Sequence, residues 1–285
     1  MVNNTFPVSE AKPLIKIPDE IPQIGFLGGD AGSEINDSIR EDYKDFNALK
    51  IGKYSDKIVR GSNPFYAVAV QSRLPAGVRV ASPGDLERAM KIGVYDFGGT
   101  YEDTGLILRS RDDPNSYLAE NLMAQVQNRL GKEAKISGPI LIPLYELDLV
   151  KDGDSPHGLA FKLKEDAELT SAPILAGKNH GKRFSETDES TGLPKSLGDG
   201  LRTLYTRDSG LSRLYLDRNL YLYSDDDNLA YSNDDGRVVL VSTAEGGAQE
   251  FIAQKLAELQ RIRDAQIGEI SQRYQRAEEI LRGTN

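Results

Sequence analysis

The sequence predicts an α/β or α+β protein: a mixed β-sheet with covering helices, a β-rich C-terminal segment and a long C-terminal α-helix. Three observations lead to this fold class. Helical spacings of apolar residues alternate with short β-type runs before residue 165, two-residue alternation follows residue 200, and residues 248–282 contain no proline. With 285 residues, the chain has the length of one large domain or two small ones.

The composition is that of an ordinary globular chain, and it excludes several kinds of site. Hydrophobic residues make up 39% of the chain and charged residues 28%. The chain has no cysteine, which excludes disulfides, thiolate metal sites and cysteine nucleophiles. The formal net charge of −9 repels phosphate backbones, so we expect no general nucleic-acid binding.

The hydropathy pattern predicts no association with a membrane. No apolar run reaches the roughly 18 residues of a membrane-spanning helix. The first residues also lack the basic and apolar regions of a secretory signal. We therefore expect a cytoplasmic protein.

The first part of the chain predicts an arm followed by a domain. Residues 1–24 contain four prolines and predict an extended arm, because proline fixes φ and removes a backbone donor. Residues 25–164 predict an α/β domain. Three residue pairs typical of a helix start precede its helical patterns: Asn63-Pro64, Ser82-Pro83 (with Asp85 as the capping-box partner of Ser82) and Asp113-Pro114.

Short apolar runs between and after these helices predict the strands of the domain. The runs at 78–81 and 105–110 are of this kind. The run at 139–150 predicts a strand that Pro143 breaks or confines to a sheet edge. Residues 159–164 predict its hairpin partner.

The rest of the chain changes in character. Residues 165–200 are polar and rich in Gly, Ser, Thr and Asp, which predicts a long loop or a domain junction. We expect the β-rich segment and the long helix in residues 201–285, and a single domain that includes every segment is the alternative. Residues 214–223 place leucines on one face and mostly tyrosines on the other, which predicts a strand or a hairpin that turns at 217–219.

The predicted C-terminal helix covers residues 248–282. Ile270, Tyr274 and Leu281 fall on one stripe of it. Because an apolar stripe packs against a partner, we expect self-association through this helix.

Two glycine-rich loops are candidate phosphate sites. The first precedes the first predicted helix, where backbone N–H groups and a helix N-terminus favour an anion. Its candidate residues are Gly28, Gly29, Gly32 and Ser33. A linker into the helix, with Ser33 as its N-cap, is the alternative.

The second loop follows a β-type run, and its candidate residues are Asp96, Gly98, Gly99 and Thr100. An aspartate at a strand end can hold a metal or its water shell, and a Gly-Gly-Thr backbone can wrap a phosphate. The loop resembles the first phosphate loop of the sugar-kinase and actin-type ATPases, which implies a phosphate contact at these residues. In that family the loop lies near the start of the chain, and no second phosphate loop or adenosine motif is found here. A glycine turn between two strands is the alternative.

Two polar groups remain. His180 lies among charged residues and is a candidate acid–base or anion-binding residue, or an exposed loop histidine. A set of five aspartates predicts either calcium binding or solvated turns, and it lacks the spacing of a calcium loop, so we expect no metal: Asp225, Asp226, Asp227, Asp234 and Asp235.

No motif identifies a reaction or a cofactor, so the sequence leaves open whether the protein is an enzyme. Its visible features favour a non-enzymatic interaction or assembly protein that uses the N-terminal arm and the C-terminal helix. The alternative is a phosphate- or nucleotide-binding protein that uses the glycine-rich loops at 25–33 and 96–100.

Overall fold

A computed structural model describes residues 23–93, 97–131 and 138–242, together with eight single positions between 261 and 282. Four α-helices lie within these residues: α1 (Gly29–Asp42), α2 (Pro64–Gln71), α3 (Pro83–Ile92) and α4 (Ser116–Leu130). Four short 3-10 helices accompany them: Asn47–Leu49, Leu144–Glu146, Pro173–Leu175 and Gly177–Asn179.

Fifteen strands make up the β-structure of the described residues. In chain order they are β1 (Gln23–Phe26), β2 (Lys53–Ser55), β3 (Ile58–Arg60), β4 (Val78–Val80), β5 (Tyr101–Leu108), β6 (Ile140–Pro143), β7 (Leu147–Lys151), β8 (Leu159–Leu163), β9 (Thr170–Ser171), β10 (Arg183–Phe184), β11 (Arg202–Tyr205), β12 (Leu211–Leu216), β13 (Leu222–Tyr223), β14 (Gly236–Arg237) and β15 (Val239–Ser242).

The largest sheet is mixed and is organised around β5. Its strand order is β10-β11-β13-β12-β5-β14-β3-β2, and β6 pairs with the second half of β5 on the β14 side. The β5–β14 and β11–β13 pairs are parallel, and the other pairs of this sheet are antiparallel. A three-stranded sheet, β1-β15-β4, and the β7–β8 hairpin complete the β-structure.

Two of the predicted helix starts are confirmed. The Asn63 side chain accepts a hydrogen bond from the Tyr66 N–H, and Pro64 occupies the first turn of α2. Ser82 and Asp85 form the predicted capping box of α3, and Gly93 ends that helix with a φ of 71°. Both starts are local, since every contact that defines them lies within three residues.

The spacing of Leu118, Leu122, Val126 and Leu130, four residues apart, predicts one buried face for α4, and the helix begins two residues later than expected. Its N-cap is Asn115, so Asp113-Pro114 precedes the cap. The predicted stripe packs into the core through Leu118, Leu122 and Val126, whereas Leu130 at the helix end is exposed. Helical spacing therefore identified the buried face correctly over most of its length.

Apolar residues form three clusters that cover both faces of the central strand. The largest holds α2 and α4 against Leu106 and Leu108 of β5. The second lies on the other face, where Ile107 packs with residues that include Phe184 and Leu204. The third joins the three-stranded sheet to α3. Because β5 is buried along its whole length, it is the strand on which the rest of the fold assembles.

The predicted fold class is wrong in one respect. The protein is α+β with mixed sheets and four helices, and its described elements end in the strand β15, without a long C-terminal helix. Most of residues 248–282 lie outside the described residues. The eight single positions there have helical backbone but do not form a continuous described element. The extended arm predicted over residues 1–24 also falls outside the described residues, apart from residues 23 and 24, which belong to β1.

The structure decides between the alternatives left open for several predicted strands. The run 139–150 is divided after Pro143 into β6 and β7, with a 3-10 turn between them, and β7 pairs with β8 as predicted. Residues 214–223 form a hairpin in which β12 and β13 pair around a turn after Leu216, so the alternative with a turn is confirmed. Residues 165–200 contain two short strands and two 3-10 helices, and they bury Leu175, Phe184 and Leu193.

Candidate functional site

A cavity of about 220 Å³ opens at the end of β5 that adjoins β12 and β13. We name it the tyrosine cavity, after the aromatic residues among its lining side chains. The lining residues are Thr100, Tyr101, Arg213, Tyr215, Asp217, Arg218, Tyr223, Asp226, Tyr231, Asn233 and Asp235.

A buried ion pair forms the base of the tyrosine cavity. The Nε and Nη2 atoms of Arg213 donate to the two carboxylate oxygens of Asp103, each at 2.7 Å, and Nη1 donates to the Tyr231 carbonyl at 3.0 Å. Both side chains are almost fully buried. Burial alone would lower the pKa of Arg213, but the charge and hydrogen bonds of Asp103 raise it above its ordinary value. The guanidinium is therefore permanently charged and fixed in position.

A register shift between β5 and β12 brings this pair together. Leu214 lies opposite Gly105, yet the next residue, Tyr215, lies opposite Asp103, so Thr104 is the extra residue of a bulge. Arg213 and Tyr215 lie on the same face of β12, because side chains alternate along a strand. The bulge thus places Asp103 opposite Tyr215, whose ring lies under the Arg213 guanidinium.

Tyrosines on three neighbouring strands form a stack along one wall. The Tyr215 and Tyr223 rings are 5.1 Å apart and 7° from parallel, and Tyr223 and Tyr205 are 4.4 Å apart at 16°. The Arg213 guanidinium also lies over Tyr215, 4.7 Å from the ring centre. One ring face has no room for both groups, so they occupy opposite faces. The stack therefore presents ring edges and hydroxyl groups, and not open faces, to the cavity.

The hydroxyls of Tyr215 and Tyr223 are neutral at physiological pH. Burial raises the pKa of Tyr223 to about 12, helped by the nearby carboxylate of Asp217. Burial also raises the pKa of Tyr215, with Asp226 as the next contributor. These phenols therefore act as hydrogen-bond donors and acceptors without adding charge.

Charged groups line the mouth. Asp226 Oδ2 is 3.7 Å from Arg213 Nη1, and Asp226 Oδ1 accepts the Asn228 N–H at 2.9 Å. Arg218 and Asp235 form an exposed ion pair at 3.4 Å. Tyr231 is 51% exposed, and its ring takes part in none of the aromatic contacts found among the described residues.

The first predicted phosphate loop does not belong to this cavity. Gly29 and Gly32 lie within α1, and Gly28 precedes it as the N-cap, so Ser33 is inside the helix and does not cap it. The Gly29 N–H donates to the Lys57 carbonyl and the Gly32 N–H to the Gly28 carbonyl, each at 2.9 Å. A Cβ atom on Gly28 would lie 2.5 Å from the Lys57 carbonyl oxygen, so the close approach of the two backbones requires glycine at this position.

Among its described residues, the second predicted loop contributes Thr100 to the cavity. Thr100 lines it, and its hydroxyl lies 2.7 Å from Glu102 Oε1 and 3.0 Å from the Phe97 carbonyl. Gly99 has a φ of 83° and donates its N–H to the Arg218 carbonyl at 3.0 Å. Gly98 is exposed beside it, and Asp96 lies outside the described residues.

The remaining sequence candidates are spread over several places, with Asp227 paired to Arg207 at 3.3 Å and Asp234 to Lys53 at 3.0 Å. Asp226 and Asp235 line the cavity, and His180 lies at the far end of the stack, 5.6 Å from the Tyr205 ring. His180 Nδ1 is 2.7 Å from the Thr206 carbonyl oxygen and 3.9 Å from an Asp225 carboxylate oxygen. Within the described ranges, no group of three or more His, Asp or Glu side chains is arranged to hold a metal ion.

The sequence did not indicate the residues at the base of the cavity. Asp103 and Arg213 are 110 positions apart, and neither belongs to a recognisable motif. The tyrosines were visible as the polar face of residues 214–223. The available sign that this face is not simply solvated is an arginine inside a β-type run, between Ser212 and Leu214.

Comparison with known proteins adds no relative. No family model matches the chain, and no curated protein sequence or solved structure matches it either. Among the helices that the structure describes, none is long and apolar enough to cross a membrane.

Proposed function

We propose that the protein is a binding protein for a small molecule that it holds in the tyrosine cavity. The observation that carries this proposal is a cavity whose polar groups are fixed before a ligand arrives. Asp103 and Tyr231 hold Arg213 through three hydrogen bonds, and stacking holds Tyr215 and Tyr223. Fixed polar groups in a concave site cost little ordering entropy when a ligand binds.

The size of the cavity supports a small ligand. Its volume of about 220 Å³ is below the roughly 300–1,000 Å³ of sites for drug-sized molecules. We propose a ligand of metabolite size and no polymer.

A phosphate ligand, the alternative expected from the sequence, fits this cavity poorly. Asp217, Asp226 and Asp235 line it and would repel a phosphate. Of the three candidate residues of the second glycine-rich loop that the structure describes, Thr100 is the one that lines the cavity. Assembly is a separate proposal, because the segments expected to mediate it lie largely outside the described residues; the mass of the protein in solution tests it. The expected cytoplasmic location likewise stays a proposal.

The chain has no tryptophan, which allows a direct binding test. Tyr231→Trp places a single tryptophan at the cavity mouth, where the native side chain is 51% exposed. Tyr54→Trp is the matched control, because Tyr54 is 42% exposed on β2 and does not line the cavity. Both proteins are titrated with choline, methylguanidine, glucose, inorganic phosphate and ATP, followed by a library of polar metabolites.

We expect at least one compound to change the emission of Tyr231→Trp saturably and to leave Tyr54→Trp unchanged. The same compound should raise the melting temperature of the unsubstituted protein. If no compound gives a saturable change in the emission of Tyr231→Trp, or if both reporters respond alike, the proposed function is wrong.

A further inference from the structure

We infer that the ligand of the tyrosine cavity is a small organic cation of the ammonium or guanidinium type; this inference rests on the proposed function. The first argument is the charge balance. Asp217, Asp226 and Asp235 line the cavity with Arg213 and Arg218, an excess of one negative charge, and Asp103 behind Arg213 adds a second. A site with excess negative charge attracts cations, and the net charge of −9 on the whole chain acts in the same direction.

The carboxylates at the mouth retain capacity to accept hydrogen bonds. Asp226 Oδ2 is 3.7 Å from Arg213 Nη1, which is too long for a hydrogen bond. Asp235 is half exposed, and its contact with Arg218 is a weak one at 3.4 Å. An ammonium or guanidinium N–H donates to such oxygens, whereas a ligand that lacks donors leaves them without partners.

The aromatic wall offers one ring to a cation. Neighbouring protein groups cover the faces of Tyr215 and Tyr223, but the Tyr231 ring stands at the mouth and is 51% exposed. A cation over a tyrosine face is attracted by the ring quadrupole. The protein already uses this contact, since Arg213 lies over Tyr101 at 5.3 Å and over Tyr215 at 4.7 Å.

The arginines do not turn the cavity into an anion site. Arg213 directs Nε and Nη2 to Asp103 and Nη1 to the Tyr231 carbonyl. Arg218 is exposed at the rim and faces Asp235. An anion entering the cavity would therefore meet carboxylates as well as guanidiniums that are already paired.

The test compares cations with uncharged molecules of the same shape, using Tyr231→Trp as the reporter. Butylammonium, which carries N–H donors, is paired with butanol, and methylguanidine with methylurea. We expect each cation that binds to do so at least about tenfold more tightly than its neutral partner. Its affinity should also fall as ionic strength rises from about 0.05 M to 0.5 M, because exposed carboxylates are screened by salt.

Two neighbouring aspartates provide a matched pair of variants in the reporter background. Asp235→Asn removes a charge that lines the cavity, and Asp234→Asn removes one from the next residue, which pairs with Lys53 outside it. Both side chains are at least half exposed, so neither change threatens the fold. We expect Asp235→Asn to weaken binding of the cation about fivefold or more, and Asp234→Asn to change it less than about twofold.

The possible outcomes separate this inference from the function on which it rests. If the neutral isosteres bind as tightly as the cations, or if only phosphate or glucose binds, the cation inference is overturned and the small-molecule function stands. If Asp234→Asn weakens binding as much as Asp235→Asn, long-range charge is responsible and the assignment to the cavity is overturned. If nothing binds, both proposals fail.

Discussion

The Arg213–Asp103 pair is the contact on which the candidate site depends most. Arg213 donates two hydrogen bonds to the Asp103 carboxylate, and both side chains are buried. Asp103→Asn removes the counter-charge and leaves a guanidinium buried beside a neutral amide. We expect a loss of about 3–5 kcal/mol in the free energy of unfolding, because a stranded buried charge keeps its desolvation cost. Urea denaturation followed by far-UV circular dichroism measures this loss.

An exposed arginine in the same cavity provides the control for that experiment. Arg218→Met breaks an exposed ion pair at 3.4 Å, and exposed pairs contribute less than about 1 kcal/mol. Equal destabilisation by the two variants would show that the buried pair has no special role.

The ionisation of Asp85 makes the free energy of unfolding depend on pH. Its buried carboxylate accepts hydrogen bonds from Arg79 at 2.5 and 3.1 Å and from Ser82, and it also pairs with Arg88. Burial alone would raise the pKa of Asp85, but the hydrogen bonds and charge of Arg79, together with Ser82, bring it below the ordinary 3.8. A lowered folded-state pKa stabilises the fold at pH values above the unfolded-state pKa, and this stabilisation disappears as the pH falls through the folded-state value.

We therefore expect the stability difference between the unsubstituted protein and Asp85→Asn to be constant from about pH 5 to 7 and to shrink below about pH 4. Denaturation midpoints measured across this range test the expectation. A difference that is the same at about pH 3 and about pH 7 would contradict it.

Helix and strand boundaries show which parts of this fold the sequence determines locally. The starts of α2 and α3 were predicted correctly, since Asn63 and the Ser82–Asp85 box act on N–H groups within three residues. The start of α1 was not predicted correctly, because it depends on residues some thirty positions away. Gly28 forms a β-bridge with Ile58, and the Gly29 N–H donates to the Lys57 carbonyl. These contacts hold a glycine-rich segment, unfavourable for helix on its own, in the first turn.

The candidate site also has one part that the local sequence predicts and another that depends on residues far apart in the chain. The alternating tyrosines of residues 214–223 were visible in the sequence, because alternation is a property of a single strand. The ion pair beneath them joins β5 to β12 across 110 positions and depends on a bulge. No local pattern encodes such a pair, and so the sequence indicated the wall of the cavity but not its base.

At the level of elements, Glu87 of α3 anchors the segment 183–202. It accepts two hydrogen bonds from Arg202, at 2.6 and 2.8 Å, and one from Thr187 at 3.0 Å, and it is largely buried. Glu87→Gln removes the charge and should release the segment, so that trypsin cleaves after the exposed Arg183 and Lys195 on the order of tenfold faster. Timed proteolysis with mass spectrometry measures the rate.

The control lies on the same helix. Lys91 and Glu189 form an exposed ion pair between α3 and the same segment. Glu189→Gln should change the cleavage rate by less than about threefold, since exposed pairs contribute little. Faster cleavage at sites outside the segment in Glu87→Gln would point to general destabilisation and count against the anchoring role.

At the scale of the molecule, the largest sheet contains strands from both of the predicted domains. The division into domains itself stays a prediction. The strand β5 comes from residues 25–164, and its neighbours β12 and β14 come from residues 201–285. The largest hydrophobic cluster also contains Leu211 and Val238 together with the helices of the earlier segment. Removing either segment would expose the edges and faces of β5, so we expect the two to unfold in one cooperative transition.

The two tryptophan reporters test this expectation, because Tyr54→Trp lies in the earlier segment and Tyr231→Trp in the later one. Both side chains are partly exposed, so each substitution should leave the fold intact. We expect tryptophan emission in both variants and far-UV circular dichroism to give the same urea midpoint and the same slope, as they do when a single cooperative unit unfolds. A Tyr231→Trp midpoint clearly below that of Tyr54→Trp would show that residues 201–242 unfold separately. In that case the junction predicted at 165–200 would be a real domain boundary in spite of the shared sheet.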